Sequence, residues 1–143
     1  MTTLAALAAH IAPNAAHQLP DVAVLHVTAD SRTVARGTLF FAVSGGRVDG
    51  HRFIADALQR GAVGAVGTAA RAALESGGLL PPDAPYIQVE ESRTALAAAA
   101  AYLYGFPSRS LTVIGVTGTD GKTTTSSILE SILVAATAVP DAP

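Results

Sequence analysis

The stretch "GTLFFAVSGGRVDGHRFIADALQRGAVGAVG", Gly37 to Gly67, decides the fold because it carries a strand, a helix and a second strand in succession. Its first seven residues, "GTLFFAV", have the aromatic and β-branched content typical of strands. From His51 onwards apolar residues recur at helical spacing, namely Phe53, Ile54, Ala57 and Leu58. Gly61 stands where a C-terminal helix cap belongs, and "AVGAVG", Ala62 to Gly67, then predicts a short buried strand.

The same alternation continues on both sides of this stretch. It predicts helices over 3–11, 69–75, 92–105 and 121–136, and strands over 22–27, 86–90 and 111–117. Ser92 is the expected N-cap of the third of these helices and Gly105 its expected end. Alternating strands and helices of this kind predict an α/β fold.

Composition narrows the class of protein. The 143 residues are 50% hydrophobic, enough for a real core, and the net charge of −2 offers no basic stripe for nucleic acid. There is no cysteine, and no apolar run approaches the roughly 18 residues of a membrane span. The alanine-rich start has no leading lysine or arginine, so we interpret it as an amphipathic helix rather than a signal peptide. These features predict a cytoplasmic protein, which we expect to be a monomer.

A glycine-rich segment near the end of the chain, "IGVTGTDGKTTT", follows an apolar run and opens a helix. Such a turn aims free backbone N–H groups and the positive end of the helix dipole at one point, which suits a polyphosphate. Gly118 and Gly121 let the chain approach the phosphates closely, because neither carries a Cβ. Lys122 would reach the β- and γ-phosphates and the Thr123 hydroxyl would complete the coordination of magnesium. The alternative is an ordinary turn between strand and helix.

The standard phosphate-loop pattern requires glycine at position 116, where this chain has Val116. "GTDGKTTT" instead resembles the ATP loop of the Mur ligases, the ATP-dependent amino-acid-adding enzymes of peptidoglycan synthesis. The resemblance implies ATP and Mg²⁺ as cofactors and Lys122 as a catalytic residue. It implies as ATP-binding residues Gly118, Thr119, Asp120, Gly121, Lys122, Thr123 and Thr124. The family usually has asparagine at the position of Asp120, and a carboxylate there repels phosphate unless it points away or faces the magnesium.

A second and longer resemblance lies upstream, in "DSRTVARGTLFFAVSGGRVDGHRFIADALQRGAVGAVG". It is similar to the N-terminal domain shared by two Mur ligase branches, one adding the third residue and one adding the D-Ala-D-Ala dipeptide. The resemblance implies that residues 1–89 bind the uridine nucleotide end of the precursor and that residues 90–143 begin the ATP domain. The substrate-binding residues that it implies are Ser31, Arg32, Gly46, Arg47 and Val48.

The residues of "DSR" also suit a nucleotide sugar by their own chemistry. Asp30, Ser31 and Arg32 bring an acceptor, a hydroxyl and a guanidinium to the end of a strand, and arginine can grip a diphosphate bidentately. Asp30 could equally serve as a turn residue bonding its own backbone, and Arg32 and Arg47 could be solvated surface charges. These alternatives stay open at the level of sequence.

"DGH", Asp49 to His51, could suggest acid–base chemistry, but we favour a structural interpretation. Asp49 or Gly50 is expected to start the helix, which places His51 in its exposed first turn. The other histidines, His10, His17 and His26, do not have metal-ligand spacing. We therefore expect no metal site beyond the magnesium delivered with ATP.

The resemblance implies a mechanism in which ATP phosphorylates a terminal carboxylate and an amine displaces phosphate from the acyl phosphate. Thr119 favours the third-residue branch, with UDP-N-acetylmuramoyl-L-alanyl-D-glutamate as acceptor and diaminopimelate or lysine as the added amino acid. The alternatives are the dipeptide-adding branch and a non-catalytic module that holds a nucleotide sugar. Folylpolyglutamate synthases share a related loop but lack the upstream domain. Most of the family's machinery would lie beyond Pro143, so we expect this chain alone not to catalyse ligation and to leave apolar faces of its last strand and helix uncovered.

Overall fold

The computed structural model describes residues 2–14, 19–45 and 48–137, and these divide into two compact units, 1–107 and 108–143. The first unit alternates strands and helices as predicted. Its elements are α1 (Leu4–Ile11), β1 (His26–Thr28), β2 (Thr38–Phe41), α2 (Ile54–Gln59), β3 (Ala62–Gly67), α3 (Arg71–Ser76), β4 (Tyr86–Gln88) and α4 (Ser92–Leu103). Short 3-10 helices occupy Ser31–Thr33 and Gly50–Phe53. The predicted α/β class is confirmed.

The four strands form one parallel sheet in the order β1-β2-β3-β4. All four residues of β2 are buried, which explains why Leu39, Phe40 and Phe41 are consecutive apolar residues instead of alternating with polar ones. Side chains still alternate between the two faces of the sheet. Leu39 and Phe41 pack with α1 and α4, whereas Phe40 and Ala42 pack with α2 and α3.

Each face of the sheet therefore carries its own core. The first contains buried residues of α1, α4 and the strands: Leu4, Leu7, Ala8, Val24, Leu39, Phe41, Val66, Ile87, Ala95 and Ala99. The second contains Phe40, Ala42, Ile54, Ala57, Ala65, Leu74, Leu80 and Tyr86. The sheet is the middle layer of three.

The first strand is shorter than predicted and starts later. The prediction was a strand over 22–27, but β1 begins at His26. The preceding residues pair with the segment before α1 instead: the Leu4 amide donates to the Val22 carbonyl at 2.8 Å, and Thr3 and Ala23 form an isolated antiparallel bridge. The backbone groups of Val22 and Val24 are hydrogen-bonded to the segment before α1, so these residues do not join the parallel sheet.

The start of α4 corrects the prediction that Ser92 is the N-cap. Glu91 caps the helix, because its carboxylate accepts the amides of Arg93 at 2.9 Å and Thr94 at 2.6 Å. Ser92 is the next residue, and its buried hydroxyl has no hydrogen-bond partner among the described residues. Gly105 follows the helix with a φ of 73°, a conformation natural for glycine, as predicted for the helix end.

The first unit continues through α4 to residue 107 because α4 packs against α1 and β1. The division of function between residues 1–89 and 90–143 stays a prediction. No helix within 2–14, 19–45 and 48–137 is long and apolar enough to cross a membrane.

The described part of the second unit contains one α-helix, α5 (Lys122–Thr137), in close agreement with the predicted helix over 121–136. The predicted strand over 111–117 is not formed. A strand exists only through pairing, and the described part of this unit supplies no neighbouring strand. Thr112, Ile114 and Val116 instead line a 320 Å³ groove along α5, and Val113 remains 71% exposed.

The Glu91 cap generates a prediction about pH. The amides of Arg93 and Thr94 hold the pKa of Glu91 below its ordinary value of 4.5, so the cap stabilises the fold fully above about pH 4.5 and is lost as pH falls through the lower folded-state pKa. We expect Glu91→Ala to lower the free energy of unfolding at pH 7 and the difference from wild type to shrink at pH 3. Urea denaturation at both pH values measures it. Equal differences at the two pH values would contradict a cap formed by the ionised carboxylate.

Candidate functional site

The parallel sheet gathers the polar loops of the first unit at one edge. The segments that follow β1, β2 and β3 begin at Ala29, Ala42 and Thr68, and the carboxyl ends of parallel strands meet at the same edge. Ligands of open parallel sheets bind in the crevice outside these strand ends. The sequence-predicted substrate residues lie on the first two of these segments.

The segment after β1 is a tightly bonded turn. Asp30 caps the 3-10 helix by accepting the Arg32 amide at 3.0 Å, and its carboxylate also binds the Arg32 guanidinium through Nη2 at 2.6 Å and Nε at 2.8 Å. The hydroxyls of Thr28 and Thr33 meet at 2.9 Å across the turn. The guanidinium of Arg32 lowers the pKa of Asp30 to about 2. Asp30 is thus a turn residue that bonds its own backbone segment, which was one of the two roles open at the level of sequence. Its carboxylate also occupies the Nε and Nη2 side of the Arg32 guanidinium.

Ser31 lies at the centre of this turn and lines a groove of 660 Å³ with Thr28, Ala29, Asp30, Arg32 and Phe53. In the part of the chain that the structure describes, its half-buried hydroxyl makes no hydrogen bond. The nearby polar groups are used within the turn itself. Ser31 is therefore a polar group held in a groove and available to a ligand.

Phe53 was predicted to share one helical face with Ile54, Ala57 and Leu58, and this prediction is wrong for Phe53, which lies before α2. The ring is 37% exposed and lines the Ser31 groove, with the Arg52 guanidinium 5.6 Å from its centroid. The reason is local: Gly50–Phe53 is a 3-10 helix with three residues per turn, so Phe53 does not follow the periodicity of α2. The sequence did not indicate that Phe53 lines the groove, because its position fitted the helical pattern.

The segment after β2 makes a turn whose described residues are Ser44, Gly45, Val48 and Asp49. The Gly45 amide donates to the Val48 carbonyl at 3.0 Å, and Ser44 and Asp49 form an antiparallel bridge. The Val48 side chain is 44% exposed, consistent with a residue on a binding surface. The predicted substrate residues Gly46 and Arg47 lie outside the described residues.

His51 was predicted in an exposed first turn, and this prediction is also wrong. The residue is 3% exposed. Its Nδ1 lies 2.6 Å from Asp49 Oδ1, and its Nε2 accepts the amides of Thr68 at 3.0 Å and Ala69 at 3.2 Å. Asp49 is the N-cap of the 3-10 helix, as expected for the start of this segment. The contact between His51 and residues 17 and 18 positions away has no local signal in the sequence.

The predicted phosphate loop lies in the second unit and leads directly into α5. Gly118 and Gly121 have φ values of 148° and 77°, which other residues rarely adopt. The Thr125 amide donates to the Gly121 carbonyl at 2.9 Å, so the amides of Lys122, Thr123 and Thr124 precede the helical ladder. Free amides at a helix N-terminus suit an anion, so the residues present fit a polyphosphate.

Lys122 curls back over this loop. Its Nζ donates to the carbonyl oxygens of Gly118 and, at 3.1 Å, Thr119. The ammonium group is thereby held on the loop, where it can exchange carbonyl partners for phosphate oxygens. The described residues contain no group of three or more histidine or acidic side chains that could hold a metal ion. Thr123, the residue predicted to give its hydroxyl to magnesium, is the second residue of α5.

Fold and loops together define a parallel α/β protein with a groove at its strand ends and, in a separate unit, a helix-opening glycine loop that fits phosphate. The chain belongs to the Mur ligase family: the family model described as "Mur ligase family, catalytic domain" matches residues 24–104. That range contains the whole sheet and all of α4.

Curated relatives agree with this family. The chain is 47% identical over 122 residues to the UDP-N-acetylmuramoyl-L-alanyl-D-glutamate–2,6-diaminopimelate ligase of Solibacter usitatus, covering 82% of this chain and 23% of the relative. It is 47% identical over 114 residues to the ligase of the same name from Pseudomonas aeruginosa, covering 79% and 22%. The chain thus spans less than a quarter of the length of these relatives.

Solved structures give the same fold. The MurF ligase of Thermotoga maritima, in complex with ADP, matches with a TM-score of 0.59 and 32% identity over 82% of this chain and 25% of its own. A MurF structure from Acinetobacter baumannii matches with a TM-score of 0.60 and 30% identity over 81% and 23%. At 32% and 30% sequence identity, both structures are similar to this chain in sequence as well as in fold.

The turn after β2 depends on a glycine, which gives a prediction. A Cβ at Gly50 would lie 2.6 Å from both the amide nitrogen and the carbonyl oxygen of Val43, and backbone atoms cannot move aside as a flexible side chain can. We expect Gly50→Ala to destabilise the first unit by about 1 to 3 kcal/mol. Urea denaturation measures the change. Gly115→Ala, whose new Cβ would meet nothing within 4 Å, is the control and should change little; an equally small effect of Gly50→Ala would contradict the close packing.

Proposed function

We propose that this chain is the substrate-binding part, with the start of the ATP-binding part, of a cytoplasmic ligase that adds the third amino acid to UDP-N-acetylmuramoyl-L-alanyl-D-glutamate in peptidoglycan synthesis. The observation that carries the proposal is the groove at the strand ends. It combines the unbonded hydroxyl of Ser31, the exposed ring of Phe53 and the guanidinium of Arg32. A nucleotide diphosphate needs these three kinds of contact: hydrogen bonding, an aromatic or apolar surface, and positive charge.

Arg32 can serve this ligand without leaving Asp30. Nε and Nη2 face the carboxylate, and an arginine carries five N–H donors, so its Nη1 side remains directed to solvent. The ion pair also limits how far the guanidinium can swing. We propose that Asp30 orients Arg32 toward the diphosphate, with Ser31 bonding the uridine-linked end and Val48 and the neighbouring Gly46 and Arg47 lying over it.

The relatives support a choice of acceptor and of added amino acid. The ligases that are 47% identical to this chain are named for 2,6-diaminopimelate, which supports diaminopimelate over lysine as the added residue. The MurF ligases among the solved structures support a second candidate, addition of a D-alanyl-D-alanine dipeptide, but at only 30% to 32% identity. Thr119 and the higher identity favour the first candidate.

The glycine loop would hold the phosphates of ATP-Mg. ATP supplies the phosphoryl group that converts the acceptor carboxylate into an acyl phosphate open to attack by an amine. The amides of residues 122–124 and the Lys122 ammonium lie where they can bind phosphate oxygens and stabilise the charge on the transferred group. Thr123 would contribute its hydroxyl to magnesium, and Asp120 would have to point away from the phosphates or face the metal.

The role of Ser31 is tested by calorimetric titration of the 143-residue chain with UDP-N-acetylmuramoyl-L-alanyl-D-glutamate. We expect Ser31→Ala to weaken binding by about tenfold, the loss expected for one hydrogen bond to a ligand. Ser76→Ala, which removes an exposed hydroxyl bonded only within α3, is the matched control and should leave Kd unchanged.

Two outcomes would contradict this assignment. Absence of binding by the wild type would remove the substrate proposal altogether, and equal binding by Ser31→Ala would remove Ser31 from the site. Titration with the precursor that already carries diaminopimelate separates the two branches. Tighter binding of that tripeptide form would favour the dipeptide-adding candidate.

The ATP loop is tested through the single lysine of the sequence, Lys122. An amine-specific acylating reagent can modify only Lys122 and the N-terminal amine, so the latter is an internal control in every molecule. We expect ATP-Mg to slow acylation of Lys122 by about tenfold, because phosphate contacts hold its ammonium form, and not to affect the N-terminus. Peptide mass spectrometry measures both rates. Equal rates with and without nucleotide would contradict phosphate binding at the loop.

A further inference from the structure

His51 is a buried imidazole at the strand-end edge that the proposed substrate contacts do not use. Its side chain is 4% exposed, and both ring nitrogens are hydrogen-bonded. Nε2 accepts two backbone amides, those of Thr68 and Ala69, directly after β3. Because an amide can only donate, Nε2 must carry a lone pair, and the proton of the neutral ring must lie on Nδ1.

The Nδ1–H group then donates to Asp49 Oδ1 at 2.6 Å. The same oxygen accepts the His51 amide at 3.1 Å and the Ser44 hydroxyl at 3.1 Å. Donation from His51, foremost, and from Ser44 keeps the pKa of Asp49 below its ordinary value. Asp49 Oδ1 thus connects Ser44 and Asp49, at the two ends of the turn after β2, to the imidazole of His51.

The space for the ring is provided by Gly67, the last residue of β3. A Cβ at this position would lie 2.5 Å from His51 Nε2 and 2.7 Å from the hydroxyl oxygen of Tyr86. That hydroxyl donates to the Ala69 carbonyl at 2.7 Å, which fixes the same backbone segment from the other side. The imidazole is therefore held between the end of β3 and the turn after β2.

We propose that His51 is a positioning residue that fixes the described residues of the turn after β2, which are 44, 45, 48 and 49, to the end of β3 and so sets them for recognition of the substrate nucleotide. The inference rests on the proposed function, because Val48 of this turn is among the proposed substrate contacts. His51 acts through Asp49 and touches no ligand itself. The Gly45 amide, which donates to the Val48 carbonyl, reports on the closure of the turn.

The experiment compares variants of the 143-residue chain by NMR. Asp49→Ala breaks the link from ring to turn but leaves Nε2 bonded to the Thr68 and Ala69 amides, whereas Asp49→Asn keeps an acceptor oxygen for the same donors. We expect hydrogen exchange at the Gly45 amide to be at least about tenfold faster in Asp49→Ala and nearly unchanged in Asp49→Asn. Long-range ¹H–¹⁵N correlation should show the Nδ1–H tautomer of His51 in the wild type.

Substrate binding gives the second readout. UDP-N-acetylmuramoyl-L-alanyl-D-glutamate should bind at least about tenfold more weakly to Asp49→Ala and His51→Leu than to wild type and Asp49→Asn. Leu74→Ala, a core truncation on α3, controls for general loss of stability and should keep its affinity at temperatures where it is folded. If His51→Leu does not fold, the two Asp49 variants decide the question.

The inference is overturned by an Nε2–H tautomer, by unchanged Gly45 exchange in Asp49→Ala, or by equal weakening in Leu74→Ala. Failure of the proposed function has a different signature. If the wild type does not bind the nucleotide sugar, that proposal falls and recognition by the turn falls with it, while tautomer and exchange still report whether His51 holds the turn. Binding by wild type with unchanged affinity in Asp49→Ala overturns the inference alone.

Discussion

Burial of β2 on both faces is the constraint on which the rest of the first unit depends. Leu39 and Phe41 require a helical layer on one side of the sheet, and Phe40 and Ala42 require another on the opposite side. One covering layer is supplied by α2 and α3, which connect parallel strands, and the other by α1 and α4, which precede and follow the strands. Parallel strands bring all of their carboxyl ends to one edge. The burial of β2 on both faces thereby favours a parallel sheet, and the parallel sheet places the polar loops at one edge.

The elements that sequence predicted well are those with local causes. The strand and helix pattern from Gly37 to Gly67, the cap at Asp30 and the helix after the glycine loop follow from periodicity and turn chemistry within a few residues. The apolar run from Leu111 was predicted as a strand because its composition suits a buried one. Composition supplies no pairing partner, and without a ladder the segment is only extended along α5.

The candidate site was predictable to a similar extent. Ser31 and Arg32 were predicted from the family resemblance and from the chemistry of a hydroxyl and a guanidinium at a strand end; both line the groove, and their roles stay predictions. Phe53 was missed because its spacing fits an α-helix, whereas the local backbone is a 3-10 turn. His51 was missed because its partners, Thr68 and Ala69, are close only once β3 is aligned beside β2. A residue whose role is set by the sheet register cannot be recognised from its neighbours in the sequence.

The hydrogen bonds of the "DSR" turn have a thermodynamic consequence. Thr28, Asp30, Arg32 and Thr33 satisfy one another within six consecutive residues, and Ser31 is carried in their midst. Rotamer freedom that an isolated arginine would lose on meeting a ligand has in Arg32 been given up in folding, because Asp30 holds its guanidinium. A ligand entering the groove therefore meets a surface that is already ordered, and less of its interaction energy is spent on immobilising the protein.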